Sequence, residues 1–100
     1  MKFFLIADAD TLLVFSLAGI KGRTTKTREE ATSTLKEALE NKEVGVILIT
    51  ERIAETIREK VNEVILKAET PVIEIPDVKG PLHITRFKEI MMTLAQARKI

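Results

Sequence analysis

The chain has no cysteine, no tryptophan and no tyrosine, and only one histidine, His83. Without cysteine there are no disulfides, no thiolate nucleophile and no cysteine-based metal site, which fits a reducing compartment. A lone histidine with no serine, cysteine or second histidine at a useful spacing supports neither a hydrolytic triad nor a zinc site. It reads as a loop residue ahead of the last helix. Four phenylalanines are the whole aromatic complement. All of them, Phe3, Phe4, Phe15 and Phe87, lie in apolar segments and are expected in the core. That leaves no aromatic platform for stacking nucleic-acid bases. Glycine is also scarce. Gly19, Gly22, Gly45 and Gly80 form neither a dinucleotide fingerprint nor a phosphate loop. "AGIKGRTTK" offers glycine, lysine and threonine but lies ahead of a weak strand, not between a strand and a helix. No apolar run approaches the ~20 residues that a membrane span needs. "FFLIA" is too short for a signal peptide and runs straight into acids. The expected location is cytoplasmic, peripheral to a membrane only through a partner.

What is present is one domain's worth of chain, 100 residues at 45% hydrophobic and 31% charged. That is enough for one modest core. Sixteen basic residues face fifteen acidic ones, so no broad nucleic-acid or membrane field is expected. The balance is local, however. Residues 1–78 carry eleven Lys/Arg against fourteen Asp/Glu, whereas residues 79–100 carry Lys79, Arg86, Lys88, Arg98 and Lys99 against Glu89 alone. The closing segment is thus either a solvated helix face or a basic tail suited to an acidic partner.

The pattern of elements is regular. "KFFLIA" (2–7) and "VGVILIT" (44–50) are continuous apolar runs of strand length, as expected for strands covered on both faces. "IKGRTTK" (20–26) reads as a weak edge strand, and "PVIEIP" (71–76) as a strand bracketed by prolines. Between them, "TLLVFSLA" is a short helix capped by Asp10 and stopped at Gly19. Thr27 and Glu30 match a capping box ahead of a helix with Ala31, Leu35, Ala38 and Leu39 on one face. Thr50 is placed to cap a single long helix, "ERIAETIREKVNEVILKA", with Ile53, Ile57, Val61, Val64 and Ile65 on one stripe. The last helix, within "LHITRFKEIMMTLAQARKI", aligns Ile84, Phe87, Ile90, Met91 and Leu94 within about 120° of arc. Strand and helix alternate four times. This predicts an α/β fold: a small parallel four-stranded sheet flanked by helices, with flavodoxin- or receiver-like topology and a C-terminal helix. The expected division is an α/β domain at 1–78 and a C-terminal helix at 79–100, in one structural unit or free for docking.

Two features invite a functional reading. Asp8 and Asp10 stand at the carboxyl end of the first strand, where doubly wound sheets bind ligands. Paired acids there can hold a hard cation, so a degenerate receiver-like domain binding metal or phosphate is one alternative. The other reading is structural: Asp10 caps the helix and Asp8 accepts hydrogen bonds from turn amides. A nucleophilic carboxylate is missing from the end of the third strand, where Thr50, Glu51 and Arg52 stand instead. The second feature is a basic cluster, Lys21, Arg23, Lys26 and Arg28, on the presumed edge strand. It serves either to block edge-to-edge aggregation or to dock a protein. The last helix raises the same question, since "MMTLAQA" suits an adaptable partner surface.

The opening "FFLIADADTLLVFSLAGI", the central "EEATSTLKEALENKEVGVILITERIAETIR", and "PVIEIP" followed by Gly80-Pro81 occur in an order that resembles the F subunit of the A-type and V-type rotary ATPases. The likeness spans nearly the whole chain, and "VGVILITERIAE" is its most telling part. The stretch "KGRTTK" is more basic and polar than a typical buried strand of that family. The resemblance implies a non-catalytic central-stalk subunit that binds the coiled coil of the D subunit of the stalk. It would rotate inside the catalytic hexamer, which it meets indirectly or at the C-terminal helix, and couple ATP turnover to ion transport. It implies no cofactor, no metal and no active site of its own, no nucleic acid and no direct membrane insertion. The residues expected to meet the partner are Arg23, Arg86, Ile90, Met91, Leu94 and Arg98.

Overall fold

A computed structural model describes residues 2–80 and Thr93. The four expected strands form one parallel sheet: β1 (Lys2–Ala7), β2 (Lys21–Thr24), β3 (Val44–Thr50) and β4 (Val72–Ile75), in the order β2-β1-β3-β4. The apolar runs occupy the two central strands, and the polar "KGRT" stretch lies at one edge. The helices are α1 (Ala9–Ser16), α2 (Arg28–Glu40), α3 (Glu51–Thr56) and α4 (Arg58–Lys67).

The strand order fixes where the helices go. The first crossover runs outward from β1 to β2, and the later ones run back the other way across the sheet. Right-handed crossovers therefore put α1 on one face and α2, α3 and α4 on the other. The side chains sort accordingly. Ile6, Ile47 and Ile49 meet Leu35, Ala54, Ile57 and Val61 on the three-helix face. Leu5, Ala7 and Leu48 meet Leu12 and Phe15 on the α1 face.

Local chemistry explains most boundaries. Thr27 caps α2, its Oγ1 accepting from the Glu30 amide at 3.1 Å. Gly19 follows α1 at φ +82°, a conformation open to glycine at no steric cost. Gly22 pairs with Leu5 across β1 and β2, and a Cβ there would collide with the Leu5 carbonyl. Edge strand β2 can lie this close to β1 only because residue 22 has no side chain.

Three expectations need correction. Asp10 does not cap α1; Asp8 does, because the strand stops at Ala7 and the helix begins at Ala9, leaving Asp10 in the first turn. The expected long helix is two helices. Ile57, at φ −130° and ψ 40°, interrupts it, beside an ion-pair cluster in which the Arg58 guanidinium grips Glu74 of β4. Within α4, Val61 and Val64 are buried, but Ile65 is 47% exposed and leaves the expected stripe. Phe3 is not a core residue either. It is 47% exposed, whereas Phe4 and Phe15 pack against the two cores. Phe87 and the expected C-terminal helix lie outside the described residues, apart from Thr93, which is helical.

Candidate functional site

In this topology the switch point, where ligands bind in doubly wound sheets, is at the carboxyl ends of β1 and β3. The residues gathered there are Asp8, Thr11, Thr50, Arg52 and, from the segment after β4, Asp77 and Val78. Most of their polar groups satisfy one another. Both Asp8 carboxylate oxygens accept from Thr11, one from its hydroxyl at 2.7 Å and the other from its amide at 3.1 Å. The Thr11 hydroxyl in turn accepts from the Val78 amide at 3.1 Å, tying the 77–80 strap to the start of α1. The strap is fixed again by Asp77. Its side chain is only 4% exposed, and it accepts from Arg52 Nε at 2.7 Å and from the Lys79 amide at 2.9 Å.

Electrostatics agree with a cap. Burial pushes the Asp8 carboxyl up, but the Thr11 hydroxyl and amide, its own amide and the charge of Lys79 outweigh this. The group stays below the usual carboxylate range. It is an anion held by the helix N-terminus. Asp10 has a different role: it is exposed in the first turn of α1, where a negative charge suits the helix dipole. At the end of β3 stands a hydroxyl, not a carboxylate. Thr50 is 1% exposed, and its Oγ1 has no hydrogen-bond partner. Among the described residues no three acidic, histidine or cysteine side chains are grouped to hold a metal ion. The switch point is a latch that closes the domain, and the described residues supply it with neither a nucleophile nor an open cation site.

The basic cluster is placed differently. Lys21, Arg23, Lys26 and Arg28 are all exposed at or near edge strand β2. Arg23 reaches across to α2 and donates to Glu37 at 2.8 Å, both side chains being more than half exposed. Such a pair contributes about 0–1 kcal/mol. Arg86, Ile90, Met91, Leu94 and Arg98 lie outside the described residues. What sequence reasoning missed is on α1. Leu13, Val14 and Leu17 are 65%, 51% and 83% exposed, and Phe3 flanks a pocket under the helix's C-terminal end with Ala18 and Lys21. The signal was available, since "TLLVFSLA" has apolar residues around its whole circumference, more than one buried face can use.

Comparison with known proteins settles the family. The profile of the family described as "ATP synthase (F/14-kDa) subunit" matches residues 4–93. The chain belongs to this ATP synthase family. It is 36% identical over 93 residues to the A-type ATP synthase F subunit of Methanocaldococcus jannaschii, covering 91% of each chain. It is also 36% identical over 83 residues to that of Methanococcus vannielii, covering 82% of this chain and 80% of the relative. The crystal structure of the V-type ATP synthase F subunit from Archaeoglobus fulgidus superposes with a TM-score of 0.63. That match covers 74% of this chain and 95% of the other at 21% identity, a likeness of fold. The chain is therefore an F subunit of the A/V type, a structural part of the complex and not an enzyme in its own right. No helix among the described residues is long and apolar enough to cross a membrane.

Proposed function

We propose that this F subunit is a central-stalk component that binds the coiled coil of the D subunit. Through that contact it couples ATP turnover in the catalytic hexamer to ion transport, on the cytoplasmic side and peripheral to the membrane. Family membership carries the reading, and the closed switch point supports it by leaving the domain's chemistry to contact. Segment 79–100 is the docking element. Arg86 and Arg98 supply charge toward an acidic coiled coil, and Ile90, Met91 and Leu94 supply the apolar stripe. Residues 1–78 form the platform. Arg23 assists from the β2 edge, since releasing it from Glu37 costs little.

Titration calorimetry of the full chain against the D subunit from the same genome tests this. Binding at micromolar affinity or tighter is expected, weakened at least tenfold by the double reversal Arg86→Glu/Arg98→Glu. No binding heat with the wild-type chain would refute the stalk role. Unchanged affinity in the double variant would move the docking element elsewhere. The metal-binding alternative has no observation in its favour, because Asp8 is committed to Thr11.

A further inference from the structure

The strap 77–80 is held more tightly than its packing requires. Val78 is 49% exposed and Lys79 is exposed as well, so laying this stretch on the domain buries little apolar surface. It is nevertheless tied from both faces of the sheet. From the α1 side, the Thr11 hydroxyl accepts from the Val78 amide at 3.1 Å and itself donates to Asp8. From the three-helix side, Arg52 of α3 donates from Nε to the Asp77 carboxylate at 2.7 Å. That carboxylate is almost wholly buried, a position that is costly unless its partners are fixed. The turn is closed by the Gly80 amide, which donates to the Asp77 carbonyl at 3.0 Å. Gly80 stands at φ +106°, a conformation that side-chain-bearing residues rarely adopt. The sequence continues at once into Pro81, whose ring restricts the choice of backbone angles again.

We propose that this strap is an aiming device. Thr11 and Asp77 are positioning residues that fix the direction in which the chain leaves the platform toward segment 81–100. Hydrogen bonds are directional where apolar packing is not, and anchors on two helices from opposite faces of the sheet leave the strap one orientation. Both anchoring side chains are out of a partner's reach, since Thr11 is fully buried and Asp77 nearly so. What they contribute to docking therefore passes through the strap, by sparing the ordering cost that binding otherwise incurs. The inference rests on the docking role of segment 79–100 only for its affinity readout.

Two spin labels read the direction without a partner. The chain lacks cysteine, so Ser33→Cys on the exposed side of α2 and Ala97→Cys in segment 81–100 carry the only nitroxides. Their distance distribution is measured by pulsed electron resonance in the full chain. Thr11→Val removes the anchor on one side and Asp77→Asn the charge on the other, while Thr11→Ser keeps the hydroxyl. Each variant is first shown to keep the cooperative melt of the parent, and Arg52→Gln, on a partly exposed side chain, replaces one that does not. A distribution at least twice as wide as the parent's, or displaced by more than its width, is expected in Thr11→Val and in Asp77→Asn, with the parent's distribution in Thr11→Ser. The parent's distribution in either of the first two would overturn the inference, and so would a change in Thr11→Ser as large as in Thr11→Val. Titrated with the D subunit, Thr11→Val and Asp77→Asn are expected to bind at least threefold more weakly than the parent and Thr11→Ser equally well. Parent affinity in both, alongside altered distances, would overturn the link to docking. If the parent itself fails to bind the D subunit, the stalk reading falls, and the label distances alone decide whether the strap aims the segment.

Discussion

The two faces of the sheet are built to different standards. On the three-helix face, Ile6, Leu35, Ile47, Ile49 and Val61 are fully buried, and the large apolar side chains left exposed on its helices are Ile65 and Leu66, both near the C-terminal end of α4. On the α1 face, Leu5 and Ala7 are equally buried, but the same layer also shows Phe3, Leu13, Leu17 and Ile73 to solvent. The first face is covered by three helices and leaves apolar surface only at one end of α4. The second carries more apolar surface than the described fold uses. The difference separates residues that make the domain fold from residues free to serve contact, and it predicts that substitutions on the two faces will fail in different ways.

The largest effect is expected in the core of the three-helix face. Ile47→Ala removes a fully buried side chain from the middle of β3 and should cost about 2–5 kcal/mol. Denaturant unfolding of the isolated chain measures it, and a loss below about 1 kcal/mol would mean this face is not the stabilising one. Next is the clamp that joins the α3–α4 interruption to edge strand β4. Arg58→Ala removes two hydrogen bonds to Glu74, at 2.6 and 2.7 Å, and one to Glu55. The loss should be about 1.5–3 kcal/mol, the range for hydrogen bonds to charged groups. The Glu74 carboxylate, 11% exposed, holds the Arg58 charge more firmly than an ordinary arginine is held. A similar size, about 1–3 kcal/mol, is expected for Gly22→Ala, where the added methyl meets the Leu5 backbone.

Smaller effects sharpen the contrast at α1. Asp8→Ala should cost about 0.5–2 kcal/mol as a lost cap, and Asp10→Ala less, since it removes only a first-turn charge. Because Asp8 is held below its unfolded-state range, its stabilising effect is present at neutral pH. It is lost as pH falls through the folded-state value on the acid side. Stability measured from pH 7 downward should therefore fall less steeply in Asp8→Ala than in wild type. An identical slope would mean that the carboxylate is not held this way. The smallest change in stability, within about 0.5 kcal/mol, is expected for Leu17→Gln on the exposed stripe.

Much of this was legible from the residues. "VGVILIT" had to be a central strand because nearly every position is apolar, and the polar "KGRT" had to be an edge. Thr27 with Glu30 announced a helix start by spacing alone. The failures have one cause, which is tertiary context. Ile57, Val61 and Val64 fit one uninterrupted helical period, and nothing local marks the interruption beside the Arg58–Glu74 clamp. Asp8 and Asp10 are both good caps by residue type, and only the end of the β1 ladder at Ala7 chooses between them. The closure of the switch point was invisible for the same reason. It depends on Thr11 meeting Val78 and on Arg52 meeting Asp77, partners distant in sequence.

The most direct test of the contrast between the two faces is amide hydrogen exchange on the full chain, alone and bound to the D subunit. Added protection is expected in segment 79–100, with any gain on residues 2–80 falling on the exposed α1 face and not on α2, α3 and α4. Protection gained on the three-helix face, with α1 exchanging as in the free chain, would contradict it.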